Sequence, residues 1–336
     1  MIISRTPFRI SFVGGGSDLP AFYNRSKGAV LSTTINKYMY ISVHPYFNKK
    51  QVQVKYSKTE LCDSVNDIQH PIIRETLKFL KVKGGLEIIS MADVPAGTGL
   101  GSSSSFTVGL LHSIYSYLGK FVSKDRLARE AADIEIERLG EPIGKQDQYA
   151  AAYGGLNIIN FNIDGSVEVE PVNIKTETFQ KLNNNLILLY TKINRSANSV
   201  LKQQSRQIKQ EDKFEIQKEM VSLVYDATDA LYRDDLDAFG KILGKNWILK
   251  KKLSNKISSS LINKYYHRAL EYGAIGGKLL GAGGGGFLLF YCPQENRQRL
   301  KKALFDLYEL KFSFDQQGSK IIYVGDKDWD EYGFFE

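Results

Sequence analysis

Long apolar runs are missing from this chain. None approaches the roughly 20 residues that cross a bilayer, and the N-terminal MIISRTPFRISF carries arginines where a signal peptide needs an apolar centre. The expected setting is therefore cytoplasmic, with no membrane partner. Cysteine is scarce as well. Only Cys62 and Cys292 occur, far apart and without CxxC spacing, which leaves no disulfide framework and no thiolate zinc site and fits a reducing compartment. The four histidines, His44, His70, His112 and His267, show neither HxH nor HxxxH spacing. Any metal is then expected to be a hard cation held by oxygen. Positive charge is in excess, +8 overall, but it is diffuse rather than striped, which suits anionic metabolites better than nucleic acid. The densest basic run, KNWILKKKLSNK from Lys245 to Lys256, has apolar residues at helical spacing and reads as a solvated helix face.

What the chain does have is enough material for a large core. It has 336 residues with 43% hydrophobic and 24% charged side chains, a composition for a globular protein of about two domains. β-rich runs such as RISFV, GAVLSTTI and YMYISVHPYF, separated by turn residues, fill the first segment. HPIIRETLKFLKV reads as a helix, GLEIISMADV as a strand and FTVGLLHSIYSYLG as a helix. SKDRLAREAADIEIERLG begins with Ser123 as a plausible N-cap and ends at Gly140, the expected start and stop for one helix. GKQDQYAAAYGG then leads into alternating strands through about Pro171, and a polar stretch from Lys175 to Asn185 marks the expected boundary between residues 1–180 and 181–336. The second part reads as long helices from Ser196 to Tyr272, the strand pair GGKLLGAGGGGFLLFY, the helix NRQRLKKALFDLY and the strands KFSFD and KIIYV. This mixed order implies an α+β architecture.

PAGTGLGSSSS, Pro95 to Ser105, has a linker's composition but not a linker's position. It joins a strand to a helix N-terminus, where unpaired backbone N–H groups and the helix dipole attract anions, and glycines allow a phosphate to approach closely. It is not a Walker A loop, since no Gly-Lys closes it, and its Gly97, Gly99, Gly101 spacing fits a dinucleotide fingerprint poorly. Read by itself it could be no more than a serine-capped helix. Phosphoryl transfer also needs a carboxylate for magnesium, a group to orient the attacking hydroxyl and a cation near the phosphoryl in flight. Glu135 and Glu137, Asp147 in GKQDQ, and Arg9 and Asp18 in TPFRISFVGGGSD supply candidates for each.

Taken in order, TPFRISFVGGGSD, PAGTGLGSSSS and KLLGAGGGGF resemble the three motifs of the GHMP kinase superfamily, across nearly the whole chain. Within it, GGGSDLPAFY, GKQDQYAAAYGG and YTKINRSANSVL look most similar to the D-glycero-D-manno-heptose 7-phosphate kinases. The resemblance implies a two-domain fold: an N-terminal α/β domain like domain 2 of ribosomal protein S5, and a C-terminal ferredoxin-like α+β domain with added helices. It also implies ATP and magnesium as cofactors, a sugar phosphate as acceptor, and a monomer or homodimer. Other anomeric sugar kinases, such as fucokinase-like enzymes, or a non-catalytic sensor of the same fold are the alternatives.

Carried onto this sequence, the resemblance places Pro95, Gly97, Gly99, Leu100, Gly101, Ser102, Ser103, Ser104 and Ser105 around the ATP phosphates. Ser103 and Glu135 are implied magnesium ligands, with Glu137 in reserve. Asp147 is the implied catalytic aspartate and Arg9 the cation beside the transferring group. Gly15, Gly16, Ser17 and Asp18 are expected on the sugar side together with Gly283 and Gly284, and Asp18 on sugar hydroxyls. Gly15 and Gly16 stand where galactokinases have a Glu-His pair, so galactose-like recognition does not carry over. The Gly281–Gly286 motif is expected to pack beside the phosphate loop. Arg195, or else Lys145 or Arg25, is the candidate for a second phosphate on the sugar.

Overall fold

The computed structural model describes residues 1–193 and 197–325; Arg195 lies outside the described residues. The two strands Ile2–Val13 and Gly28–Pro45 pair antiparallel, from Ile2 opposite Val43 to Val13 opposite Leu31, and form the spine of a nine-stranded sheet among the described residues. From Thr6 to Val13 every residue is buried, so this strand reads as a continuous run and not as an alternation. The sheet continues outward through Leu86–Ala92, Val52–Lys55 and Thr59–Cys62, while Asn157–Phe161 and Val167–Pro171 extend it beside the first half of Gly28–Pro45. The helix Ser102–Tyr117 packs on it, and its Ser113 hydroxyl donates to the carbonyl of Ile41.

A second sheet of four antiparallel strands runs in the order Tyr308–Glu309, Leu186–Tyr190, Phe287–Tyr291, Gly276–Leu279. The helix Leu236–Leu253 lies on it and also pairs with the helix Glu211–Tyr232, which reaches the large sheet. Asp235 caps Leu236–Leu253 by accepting from the Ala238 N–H, and Lys250, Lys251 and Lys252 occupy its last turn, where cations complement the helix dipole. Phe12 meets Phe239 edge-on at 5.3 Å. One buried apolar cluster thereby joins the two sheets.

Three expectations need correction. Gln146–Tyr153 and Thr176–Asn185 are helices, not a lead-in and a polar connection. The short strands Phe314–Asp315 and Lys320–Val324 return to pair with Gly28–Pro45 and Ile2–Val13, so a single cut near residue 180 leaves two strands of the large sheet in the second segment. The basic run is not uniformly solvated: Trp247 is fully buried and Lys250 is 5% exposed.

Candidate active site

Strand Leu86–Ala92 delivers the glycine-serine loop to the start of helix Ser102–Tyr117. Gly99 holds φ +86°, and a side chain there would bring Cβ within 2.7 Å of the Leu280 carbonyl oxygen. Only glycine combines that left-handed backbone with so close a contact. The approach is mutual: a Cβ at Gly281 would lie 2.6 Å from Gly99 Cα, and one at Gly286 would lie 2.3 Å from the Thr98 oxygen. The Gly281–Gly286 segment thus buttresses the loop from behind. Gly101 is the helix N-cap at φ +77°.

A cavity of 470 Å³ opens in front of this loop. Gly97, Gly99, Gly101, Ser102, Ser103 and Ser104 line it. Pro95, Leu100 and Ser105 do not: the Pro95 carbonyl accepts from Thr98 Oγ1 at 3.0 Å, the Leu100 carbonyl from the Arg9 N–H at 3.1 Å, and Ser105 Oγ donates to the Pro7 carbonyl at 2.9 Å. These three residues hold the loop's shape.

Arg9 and Asp147, 138 positions apart, meet at the loop. Arg9 Nε donates to Asp147 Oδ1 at 2.7 Å and Nη2 to Oδ2 at 2.6 Å, while Nη1 donates to the Gly99 carbonyl at 2.6 Å. This two-pronged pairing fixes the carboxylate plane as no lysine could. A Cβ at Gly101 would stand 3.3 Å from Asp147 Oδ2, so the aspartate lies directly against the start of the serine helix.

Glu135 is the inward carboxylate and Glu137 the exposed one. After the regular helix Lys124–Ala132, capped by Ser123, the backbone widens into a π-helical turn over Asp133–Arg138, a distortion that often marks functional sites. Ser103 Oγ donates to Glu135 Oε1 at 2.5 Å and Gln148 Nε2 to Oε2 at 2.7 Å. Burial pushes the Glu135 carboxyl up to about 7, against the opposing pull of these hydrogen bonds.

On the opposite side of the loop, Gly15, Gly16 and Asp18 line the cavity with Gln146 and Gln204. Asp18 Oδ1 accepts from the Gly16 N–H at 3.0 Å and Oδ2 from the Gln146 N–H at 3.3 Å; burial, then the nearby Asp147 charge, raises its proton affinity. Ser17 sits behind the wall, its hydroxyl exchanging hydrogen bonds with Ala29. Gly283 lines the cavity, whereas Gly284 is turned away and donates to the Ile257 carbonyl. Lys145 and Arg25 are not at the cavity: Lys145 donates to the Gly165 carbonyl, and Arg25 pairs with Glu211 over the Phe214 ring. Met39, His70, Pro71, Ile72 and Phe106 form an apolar end, where the His70 and Phe106 rings stack at 4.9 Å.

Two lysines that sequence reasoning passed over complete the site. Lys278, from the third glycine motif, donates to the Ser11 and Phe12 carbonyls at 2.7 and 2.8 Å, and Lys250 donates to the Gly281 carbonyl. Both line the cavity. Lys278 sits inside the quoted KLLGAGGGGF motif, so a signal was present; for Lys250 the surrounding lysines masked it.

Comparison with known proteins agrees with this geometry. Residues 70–155 match the model of the GHMP kinase N-terminal domain, and residues 227–310 match that of the GHMP kinase C-terminal domain. A D-glycero-alpha-D-manno-heptose 7-phosphate kinase of Campylobacter jejuni is 31% identical over 332 residues, covering 95% of this chain and 98% of its own. The chain belongs to the GHMP kinases. A galactokinase of Pyrococcus furiosus is 25% identical to this GHMP kinase, over 93% of this chain and 95% of its own. The crystal structure of a D-glycero-D-manno-heptose 1-phosphate kinase from Bacteroides thetaiotaomicron shares the fold, with a TM-score of 0.80 and 24% identity over 97% of this chain and 100% of its own. As a GHMP kinase the protein is a phosphotransferase with an alcohol acceptor and ATP as donor. Its architecture is the two-domain GHMP fold of mixed helices and sheets. No helix among the described residues is long and apolar enough to cross a membrane.

Proposed function

We propose that this GHMP kinase is a sugar kinase that moves the γ-phosphoryl group of ATP to the anomeric hydroxyl of D-glycero-D-manno-heptose 7-phosphate, giving the 1,7-bisphosphate for nucleotide-heptose and surface polysaccharide synthesis in the cytoplasm. The observation that carries the phosphoryl-transfer reading is the Arg9–Asp147 fork pressed against Gly99 and Gly101. It holds a carboxylate and a guanidinium where the terminal phosphate of a nucleotide cradled by the loop would end. The choice of heptose 7-phosphate follows the Campylobacter jejuni relative.

Transfer is direct and in line, with no covalent intermediate on the protein. Asp147 Oδ2 orients the acceptor hydroxyl and takes its proton. An anomeric hydroxyl is more acidic than an ordinary alcohol, so orientation outweighs basicity. Arg9 fixes Asp147 and adds positive charge beside the phosphoryl oxygens. Asp18 Oδ1 and Oδ2 keep lone pairs for sugar hydroxyls, and Arg195 is the proposed contact for the 7-phosphate.

The residues fit magnesium. Ser103 Oγ and Glu135 Oε1 lie 2.5 Å apart, and among the described residues the buried Gln148 Oε1 has no hydrogen-bond partner. Among the described residues no group of three or more His, Cys, Asp or Glu side chains could hold a metal by itself. That suits magnesium, which commonly uses one or two carboxylates together with nucleotide phosphates. Ser103 and Glu135 would hold the ion, which when bound offsets charge on the phosphate oxygens.

A panel of heptose 7-phosphate, unphosphorylated heptose, fucose, mannose and galactose, each with ATP and magnesium, tests the proposal. Sugar-dependent ADP release is expected to be highest with heptose 7-phosphate. Higher turnover with fucose makes the protein a fucokinase-like enzyme, and no sugar-dependent release from any acceptor favours a sensor.

A further inference from the structure

Lys250 is a buried cation without a counter-ion among the described residues. It is 5% exposed, forms no ion pair among the described residues, and spends one of its three N–H bonds on the Gly281 carbonyl. The charged groups that face it from the surrounding elements are Arg9, Asp18, Asp147 and Lys278. Arg9 is already forked by Asp147, and Asp18 by two backbone N–H groups. Lys278 differs in kind, because both Ser11 and Phe12 carbonyls hold its ammonium in place as a clamp between the first and third glycine motifs. Holding an ammonium in a dry site with one neutral partner is costly, and burial has pushed Lys250 down to about 8. An anion arriving in the cavity would remove that cost.

The position says which anion. Gly281, the anchor of Lys250, packs directly on Gly99, and Gly99 is the carbonyl that Arg9 holds. Lys250 and Arg9 therefore each bind a carbonyl at one contact point, where the phosphate loop meets the third motif. Asp147 is held next to that point by Arg9, whose guanidinium binds both the Asp147 carboxylate and the Gly99 carbonyl.

We infer that Lys250 is a second catalytic cation, which binds a non-bridging oxygen of the terminal phosphoryl group of ATP and follows that group through transfer. In the step, the bond from phosphorus to the ADP oxygen breaks as the bond to the acceptor oxygen forms. The acceptor's proton goes to Asp147, and Lys250 neither gives nor takes one. The inference rests on the kinase assignment and not on which sugar is the acceptor.

The test compares the full-length protein with Lys250→Met, which keeps the length of the side chain and removes a buried charge. Binding of ADP and of the non-hydrolysable β,γ-imido analogue of ATP is measured with magnesium and no sugar. The imido analogue is expected to lose about tenfold in affinity, the scale of one charge-assisted contact, with ADP changed by less than about twofold. Equal losses for both nucleotides, or none for either, overturn the inference, because a merely structural lysine has no reason to distinguish a third phosphate. If Lys250→Met does not fold, Lys250→Gln takes its place in the same comparison. A second arm follows kcat with whichever acceptor the unmodified protein turns over best. If heptose 7-phosphate is no substrate but the imido analogue alone is lost, Lys250 stands and the acceptor assignment falls. If heptose 7-phosphate is phosphorylated equally fast by both proteins, Lys250 falls and the acceptor assignment stands.

Discussion

Replacing Glu135 with glutamine is expected to stabilise the nucleotide-free protein in alkaline solution while removing its magnesium-dependent turnover. The carboxyl is 1% exposed and has Ser103 and Gln148 as neutral hydrogen-bond donors. Burial is the largest influence on it and raises it from 4.5 to about 7. The folded protein thus binds this proton more tightly than the unfolded chain does. Its contribution to stability is full below the unfolded value, is lost as pH rises through the folded value, and leaves a burial penalty above it. At about 1.4 kcal/mol per pH unit, the rise corresponds to roughly 3 kcal/mol. Glutamine is neutral at every pH and nearly isosteric. Its amide can donate to Ser103 Oγ while its oxygen accepts from Gln148. Calorimetric unfolding without nucleotide, near pH 5 and near pH 8, reads the effect. Near pH 8 the variant should be the more stable by up to about 3 kcal/mol, a shift of several degrees, and the gap should shrink to about 1 kcal/mol or less near pH 5. Magnesium-ATP should then raise the melting temperature of the original protein more than that of the variant, since a charged carboxylate holds the ion more tightly than a neutral amide oxygen. A variant no more stable near pH 8, or a gap unchanged between the two conditions, would refute the argument that burial is what raises this group.

Two further outcomes follow from the same geometry. Asp147→Asn keeps the shape and loses the charge that Arg9 holds; single-turnover kinetics should show a fall of at least about a hundredfold with ATP affinity retained, and near-normal turnover would remove Asp147 from the chemistry. Gly99→Ala must accept φ +86° and a Cβ placed 2.7 Å from the Leu280 oxygen; urea unfolding should record a loss of about 1–3 kcal/mol from backbone strain alone, with weaker nucleotide binding, and an unaltered midpoint and affinity would mean that the loop does not depend on this glycine.

What could be read from the sequence was whatever is local. The strand before PAGTGLGSSSS, the helix after it and the Ser123 cap depend on periodicity, glycine conformation and a side chain three residues from its target, so each shows in a short window. Gln146–Tyr153 escaped because its middle is buried around nearly the whole circumference, Gln148 to Ala152, and a helix without a wet face has no amphipathic stripe to announce it. Thr176–Asn185 escaped for the opposite reason, with only Thr178 and Leu182 buried in a polar segment. Glu135 and Glu137 could not be told apart by spacing, because the π-helical turn that contains them breaks the regular helical period. The lysine run taught the sharpest lesson. Its composition is that of a solvated face, yet Lys250 is three positions after the fully buried Trp247, and residues three apart share a helix face. A large apolar residue on the same helix face was thus visible nearby. The glycine carbonyl that receives Lys250, 31 residues further on, belongs to a contact that only the assembled fold creates. The same holds for the Arg9–Asp147 fork, so the residue types needed for phosphoryl transfer can be read one by one, while their convergence on Gly99 is a property of the two sheets meeting.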